Sequence, residues 1–337
     1  MPFDRRNFLR VSGALTAAPL AGLFKYGHAQ TKRLAIGTNP TGTEFYVIGG
    51  GIAKMITEKL TMQTIVQPYA GSSVYLPLIQ DGELAMGIST SIDSGGAYHG
   101  KQGRAPMRKL RTVMRLWALP YAMVVRRDSP IRSMADLKGK RIIMDFRANA
   151  SLAAVNRAML AVGGLKESDV NAMSVTGLPQ GLQAVVEGNA DATFAAVGIP
   201  IVREAHATTG VRYVSLTGPN ATEEFLGHQV PGIYPLPLQP AATLPEVTEP
   251  IVITGIDVFL VTSSDIPSET VTRVAQTIYD GFTDLQQSYP TLRRSTKAEV
   301  ARASNAVPYH PGAIEFYKRA KLWTPANDQH EAQLAQS

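Results

Sequence analysis

The chain has 337 residues, 45% hydrophobic and 18% charged, with no cysteine and a formal charge of +6. The absence of cysteine excludes a disulfide framework and a thiolate metal centre. Arg5, Arg6, Arg10 and Lys25 stand against Asp4 in the first 29 positions, so the remainder carries only +3, and no basic run with interleaved aromatics suggests nucleic acid.

The N-terminus reads Arg5-Arg6-Asn7-Phe8-Leu9, then a weakly apolar run from Val11 to Phe24, then small residues up to Ala29. Basic region, apolar region and small-residue exit, in that order, form a twin-arginine export signal cleaved near Ala29. The apolar run is too short for a stable membrane anchor. Residues 1–29 are thus expected to be a signal peptide, and the mature chain to be periplasmic.

Leu34–Ile36 reads as a strand, Gly37–Gly42 as a tight loop, and Phe45, Ile48, Ile52, Met55 and Ile56 as one helix face capped by Thr43 or Thr41. A helix start above a strand end suits a small anion, with Tyr46 in reach; an ordinary strand-to-helix connection fits equally well. A P-loop is excluded because Thr43-Glu44 follows Gly42, and a dinucleotide fingerprint because Gly49–Gly51 falls inside the helical pattern. Thr64–Tyr69 is the next strand, followed by a helix through Leu76 and Ile79 with Ser72 or Ser73 as cap. Leu84–Ile88 is a third strand, running into a Ser89–Asp93 loop.

Residues 101–111 read as a solvated basic segment, Thr112–Ala118 and Tyr121–Val125 as two strands, and Asp128–Lys140 as a loop with a helical turn. Arg141–Phe146 is a strand, Arg147–Ser151 its loop, and Leu152, Val155, Met159 and Val162 a helix face stopped by Gly163-Gly164. A helix at Pro179–Glu187, a strand at Gly188–Phe194, a helix at Ile199–Thr208 and a strand at Val211–Ser215 follow. The segment Leu182–Ala192 weakly echoes Leu76–Met86. Prolines 231, 235, 237, 240, 245 and 250 make Pro219–Pro250 irregular. Ile251–Thr262 is a long strand, Ser268–Leu285 an amphipathic helix capped by Ser268, and Ile314–Lys321 a last helix behind His310-Pro311.

No catalytic constellation stands out. G-x-S-x-G and H-E-x-x-H are missing, and His99, His206, His228 and His310 have no metal spacing. His310 reads as a loop residue that positions a helix start. Asp145 and Arg147 could pair, without a general-base partner. The expectation is a binding protein rather than an enzyme, with no cofactor and no metal.

Taken in order, the chain resembles the TAXI group of periplasmic solute-binding proteins that serve TRAP transporters. The resemblance rests on Ile36-Gly37-Thr38 with Gly42 and Tyr46, Ala70–Ser73, Asp81–Ala85, Asp136–Lys140, Val186–Ala192, Gly232–Pro235 and His310–Ala313. It implies an α/β type II periplasmic-binding-protein fold: two α/β lobes, a hinge crossed twice, and a ligand cleft between them. Lobe one would hold 30–120 and the return segment 255–337, and lobe two 121–254. The resemblance further implies a membrane permease driven by an ion gradient as partner; a monomer is expected. A sensor kinase that reads the bound ligand is an alternative partner, and a thiamine-pyrimidine-synthase-like enzyme a more distant one that the export signal opposes.

The expected ligand is a small organic acid or amino-acid-like solute. Lobe one would contribute Thr38, Asn39, Thr43, Tyr46, Ser72, Ser73, Ser89 and Ser91. Lobe two would contribute Arg147, Asn149, Ser151, Pro179 and Gln180, with Tyr234 at the rim. Arg147 stands where relatives in the group carry a glycine- and serine-rich turn. It is either a surface residue or the fork that holds a carboxylate.

Overall fold

The computed structural model describes residues 34–100, 105–147 and 150–336. The export signal therefore lies outside the described residues, and so does Asn149.

Ten strands form one sheet in the order β2-β1-β3-β10-β4-β7-β5-β6, with β9 beside β10 and β8 beside β4. The first half is built by β1 (Leu34–Thr38), β2 (Thr64–Pro68) and β3 (Met86–Thr90), all parallel, so their carboxyl ends share one edge. The second half is built by β5 (Arg141–Phe146), β6 (Asn171–Val175) and β7 (Ala192–Ala196), also parallel, with β8 (Val211–Val214) antiparallel to β4. Two long strands belong to both halves. β4 (Leu110–Arg126) pairs with β10 (Ile251–Ser263) through its first part and with β7 and β8 through its second.

The two expected strands around Pro120 are thus one. Pro120 lacks an N–H, but its carbonyl accepts from the Val197 N–H at 2.9 Å and its register partner on β10 is Gly255, so the strand passes through the proline. The stretch expected to be irregular also holds structure: α7 (Glu223–Gln229) and β9 (Ile233–Leu238). β9 pairs with β10 only, and Pro235 and Pro237 alternate along it. An edge strand tolerates proline where the missing N–H would face away from its partner.

Helices α1 (Glu44–Leu60), α8 (Ser268–Asp280) and α10 (Pro311–Arg319) cover one face of the first half and bury Ile36, Ile52, Ile56, Trp117, Val274 and Tyr317. α2 (Ser72–Gln80) and α3 (Ser91–Tyr98) cover the other, burying Tyr75, Ile79 and Phe259. In the second half, Ile143, Phe146, Val155, Met159 and Phe194 gather under α4 (Leu152–Val162), while Val124, Leu182, Val202 and Tyr213 gather under α5 (Leu178–Val186) and α6 (Pro200–Thr208).

Several helix ends differ from expectation. Gly71, not Ser72 or Ser73, is the N-cap of α2, and Pro267, not Ser268, that of α8, with no side-chain cap bond at either. The single helix expected over 268–285 breaks at Gly281 into α8 and α9 (Phe282–Ser288). α11 (Pro325–Gln336) lies beyond the last helix expected. Thr43 does cap α1, accepting from the Tyr46 N–H at 3.3 Å, and His310 caps α10 by accepting from the Gly312 N–H at 3.1 Å.

Candidate ligand-binding site

Each parallel strand hands the chain to a helix at its carboxyl end, so the unpaired N–H groups of several helix starts lie along the same edges of the sheet. At β1 this edge carries Thr38, buried and donating to the Asn39 carbonyl at 3.1 Å, and Asn39, whose buried Oδ1 has no partner. At β3 it carries Ser89, buried and donating to the Thr90 carbonyl at 3.3 Å, and then α3, which was read from the sequence as loop. Thr90 caps α3 by accepting from the Asp93 N–H at 3.1 Å. The T-x-x-D spacing of Thr90-Ser91-Ile92-Asp93 was the available signal for this start. Gly95 and Gly96 in the next turn hid it, since glycine is a poor helix former.

The two halves meet at this point. The Ser151 hydroxyl, at the N-cap of α4, donates to the Asp93 carboxylate in the first turn of α3. The Ser91 hydroxyl donates to the Gly232 carbonyl at 3.0 Å, just before β9. Ile92 packs into the core under α4. A cavity of about 550 Å³ opens beside this junction, within the size range of small-molecule sites. One wall is the flank of α3: Ser91, Gly95 and His99 on one row, Ile92 and Gly96 on the next. The second half contributes Ser151 and Ala154 from α4, and Gln229, Val230 and Pro231 from the α7–β9 connection. Ala306, together with His330, Gln333 and Leu334 of α11, completes it. The His330 ring binds the Asn305 carbonyl through Nε2 at 2.6 Å, which anchors this helix against the 305–309 segment.

Of the residues singled out from the sequence, Ser91 and Ser151 line this cavity. Thr38, Asn39, Thr43, Tyr46 and Ser89 lie at strand ends or helix starts of the first half, outside its lining, and Ser72 and Ser73 form the first turn of α2. Arg147 stands at the carboxyl end of β5, as its position implied, but it is exposed and donates to the Thr176 hydroxyl at 3.2 Å. Pro179 and Gln180 are exposed in the first turn of α5. The Asp145 carboxylate pairs with Arg157 at 3.4 Å rather than with Arg147. Gln229, His330 and Gln333 escaped sequence reading because the chain brings them here from segments far apart.

Tyr234 is corrected. It belongs to β9, not to an irregular rim, and is only 6% exposed. Its hydroxyl donates to Asp257 Oδ1 at 2.7 Å and accepts from Arg115 Nη2 at 3.2 Å. Arg115 Nε meets the same Asp257 oxygen at 2.7 Å, its Nη1 reaches Ser295 Oγ at 3.2 Å, and Ser304 donates to the other Asp257 oxygen. The Arg302 guanidinium lies 4.4 Å from the centre of the Tyr234 ring. Burial first, then the Asp257 charge, pushes the Tyr234 phenol up. Burial opposes the Arg115 charge, but Asp257 and Tyr234 outweigh it and hold the guanidinium more firmly protonated than usual. The set is a buried network where β4, β9 and β10 meet, in which Arg115, Tyr234, Asp257, Ser295 and Ser304 bond to one another.

Among the described residues no group of three acidic or histidine side chains is placed to hold a metal. No helix among them is long and apolar enough to cross a membrane.

Two α/β halves joined through two long shared strands, with a cavity against the helix starts of both, define the class: this is the periplasmic binding-protein fold. The chain belongs to the NMT1-like family, whose pattern matches residues 36–320. Among solved structures, a TctC solute-binding protein from Polaromonas is similar at 16% identity over 91% of this chain and 99% of that one, with a TM-score of 0.52. The periplasmic aliphatic sulphonate-binding protein SsuA from Escherichia coli is similar at 14% identity over 89% and 91%, with a TM-score of 0.46. At these identities the likeness is one of fold, and it is the first that carries it.

Proposed function

We propose that this chain is an exported, periplasmic solute-binding protein that captures a small carboxylate-bearing organic solute, organic acid or amino-acid-like, and presents it to an ion-gradient-driven permease of the TRAP type. In this reading the two halves of the sheet are lobes, with 121–254 forming the second, and the chain binds without catalysing a reaction. The observation that carries the reading is the Ser91–Asp93–Ser151 junction. There the starts of α3 and α4, one from each lobe, meet at the wall of a single cavity. Helix starts supply N–H donors and a positive dipole end, and here the Asp93 carboxylate already lies between the two starts. In this scheme Arg147, exposed and bonded to Thr176, is a surface residue rather than the fork that holds the carboxylate.

A thermal-shift screen of small carboxylates on the chain lacking residues 1–29 tests the proposal. A solute that prefers the native state raises the melting midpoint by mass action. The best hit should bind less tightly to Ser151→Ala, because the contact that ties the start of α4 to Asp93 of α3 at the cavity wall is lost. If carboxylates across the screen leave the midpoint where it was, the carboxylate reading fails.

A further inference from the structure

α11 is held to the rest of the molecule differently from the other helices around the cavity. α3 buries Ile92 and Ala97 in the apolar core, and α4 buries Val155 and Met159. Among the described residues, none of α11 belongs to an apolar cluster, and its one fully buried residue is Asn327. The face it turns inward, Asn327, His330, Glu331 and Leu334, keeps helical spacing but is polar at all positions except the last. Asn327 fixes the start of the helix, accepting from the Thr324 N–H at 3.0 Å and donating to the Ala301 carbonyl. One oxygen of the half-buried Glu331 accepts from Asn305 Nδ2 at 2.8 Å, and the other accepts from the Tyr309 N–H at 3.0 Å. Past these bonds, Gln333 and Leu334 lie against the cavity. The helix also lies beyond residues 36–320, the part of the chain that the family pattern matches.

An element held by apolar burial opens only with the core beneath it. One held by a few hydrogen bonds exchanges each of them for water, so it opens locally and at lower cost. Two of the bonds that hold α11 end on the Glu331 carboxylate, and charge-assisted bonds are the stronger kind. We propose that α11 is a movable cover on the cavity beside α3, and that Glu331 is the positioning residue that holds it shut against the 305–309 segment. The cover swings about its Asn327 end and bares the Gly96 flank of α3. What passes beneath it rests on the proposed solute-binding reading; the cover itself does not.

The test exploits a chain that has no cysteine, so that an introduced thiol stands alone. Gly96→Cys puts it on the cavity wall, where a Cβ meets nothing within 4 Å. Val185→Cys puts it in the buried core under α5 and reports opening of the whole fold. With a thiol-specific disulfide reagent at low concentration, the labelling rate follows the population of the open form. In the chain lacking residues 1–29, Gly96→Cys should label at least about ten-fold more slowly than the same chain unfolded in urea. Adding Glu331→Gln turns an amide N–H toward a donor, and should speed labelling of Gly96→Cys by about ten-fold while leaving Val185→Cys unchanged. Labelling of Gly96→Cys as fast as in the unfolded chain would show that nothing covers this wall and would overturn the proposal. An unchanged rate with Glu331→Gln would overturn it too, since Glu331 would then not hold the helix. Equal acceleration at both positions would assign Glu331 to overall stability instead. None of these outcomes needs a solute, so the cover and the solute-binding reading fail separately.

Discussion

Arg115 and Asp257 show how little a single residue's chemistry says until its surroundings are known. Both are almost wholly buried, 2% and 0% exposed, and each oxygen and nitrogen named above has a partner. A buried ion pair is weak evidence for stability, but removing one member strands a charge. Arg115→Met should therefore lower stability by about 3–5 kcal/mol, read from the urea midpoint, and Asp257→Leu by a similar amount. Joining the two should recover a good part of the loss, because neither charge is then unpaired; additive losses would show that shape, not charge, is what the site requires. His310 gives a pH dependence. Burial holds its imidazole below the usual histidine range. As pH falls through the unfolded value of about 6.5, the unfolded chain gains a proton that the folded chain refuses. Stability contributed by neutral His310 is thus present above that pH, is lost as pH drops toward the folded pKa, and levels off beneath it. His310→Asn keeps a cap for the Gly312 N–H and should flatten this slope between about pH 7.5 and 5.5; an unchanged slope would assign it to other groups.

At the scale of the element, α3 lines the candidate cavity along one flank, and its two glycines have opposite roles. A Cβ at Gly95 would lie 2.5 Å from the Ala306 Cβ, so this glycine permits the close approach of the 305–306 segment. Gly96 has open space. Gly96→Ala should stabilise the fold by about 0.5–1 kcal/mol through helix propensity and a less flexible unfolded chain. Gly95→Ala should destabilise it by about 1–3 kcal/mol, overpacking outweighing the same gain. Equal effects in paired urea titrations would contradict the packing assigned to α3. The break at Gly281 has a similar origin: a Cβ there would run into Met55 of α1, so the helix bends where two elements come close.

At the scale of the whole molecule, β4 and β10 are the only strands paired within both halves of the described sheet. Pro120 and Gly255 face each other in register across them. On this rung Gly255 is the residue free to absorb a change of backbone angle, while the ring of Pro120 holds β4 at a fixed φ and offers no N–H to the rung. We expect the lobes to close about this rung when solute binds, seen as a fall in radius of gyration by small-angle scattering with a bound carboxylate; identical scattering with and without it would argue for a rigid cavity. Export belongs to the same scale. Replacing Arg5 and Arg6 by lysine should keep the chain out of the periplasmic fraction, and undiminished export would refute the twin-arginine assignment.

By itself the sequence determined the α/β class, most strands and helices, and the edge of the sheet on which polar loops gather. Hydrophobic periodicity and turn residues are local signals, and Ile36, Val155 or Val274 carry the same pattern whatever lies beyond. Thr43 and His310 were legible as helix starts for that reason. Only the tertiary structure decided that Pro120 lies inside a continuous strand, that Pro235 and Pro237 sit on an edge strand, and that Ser91–Tyr98 is helical despite Gly95-Gly96. In each case a neighbour far along the chain supplies the missing term: the Val197 N–H, the single partner β10, the Ala306 surface. Of the residues read from the sequence, two line the candidate cavity. Ser91 and Ser151 follow strand ends and could be read from them, whereas Tyr234 was drawn into a buried network by Arg115 and Asp257, and His330 and Gln333 reach the cavity on a helix with little apolar signal of its own. A site assembled from segments some 240 residues apart is a property of how those segments pack, and packing is what a one-dimensional pattern does not contain.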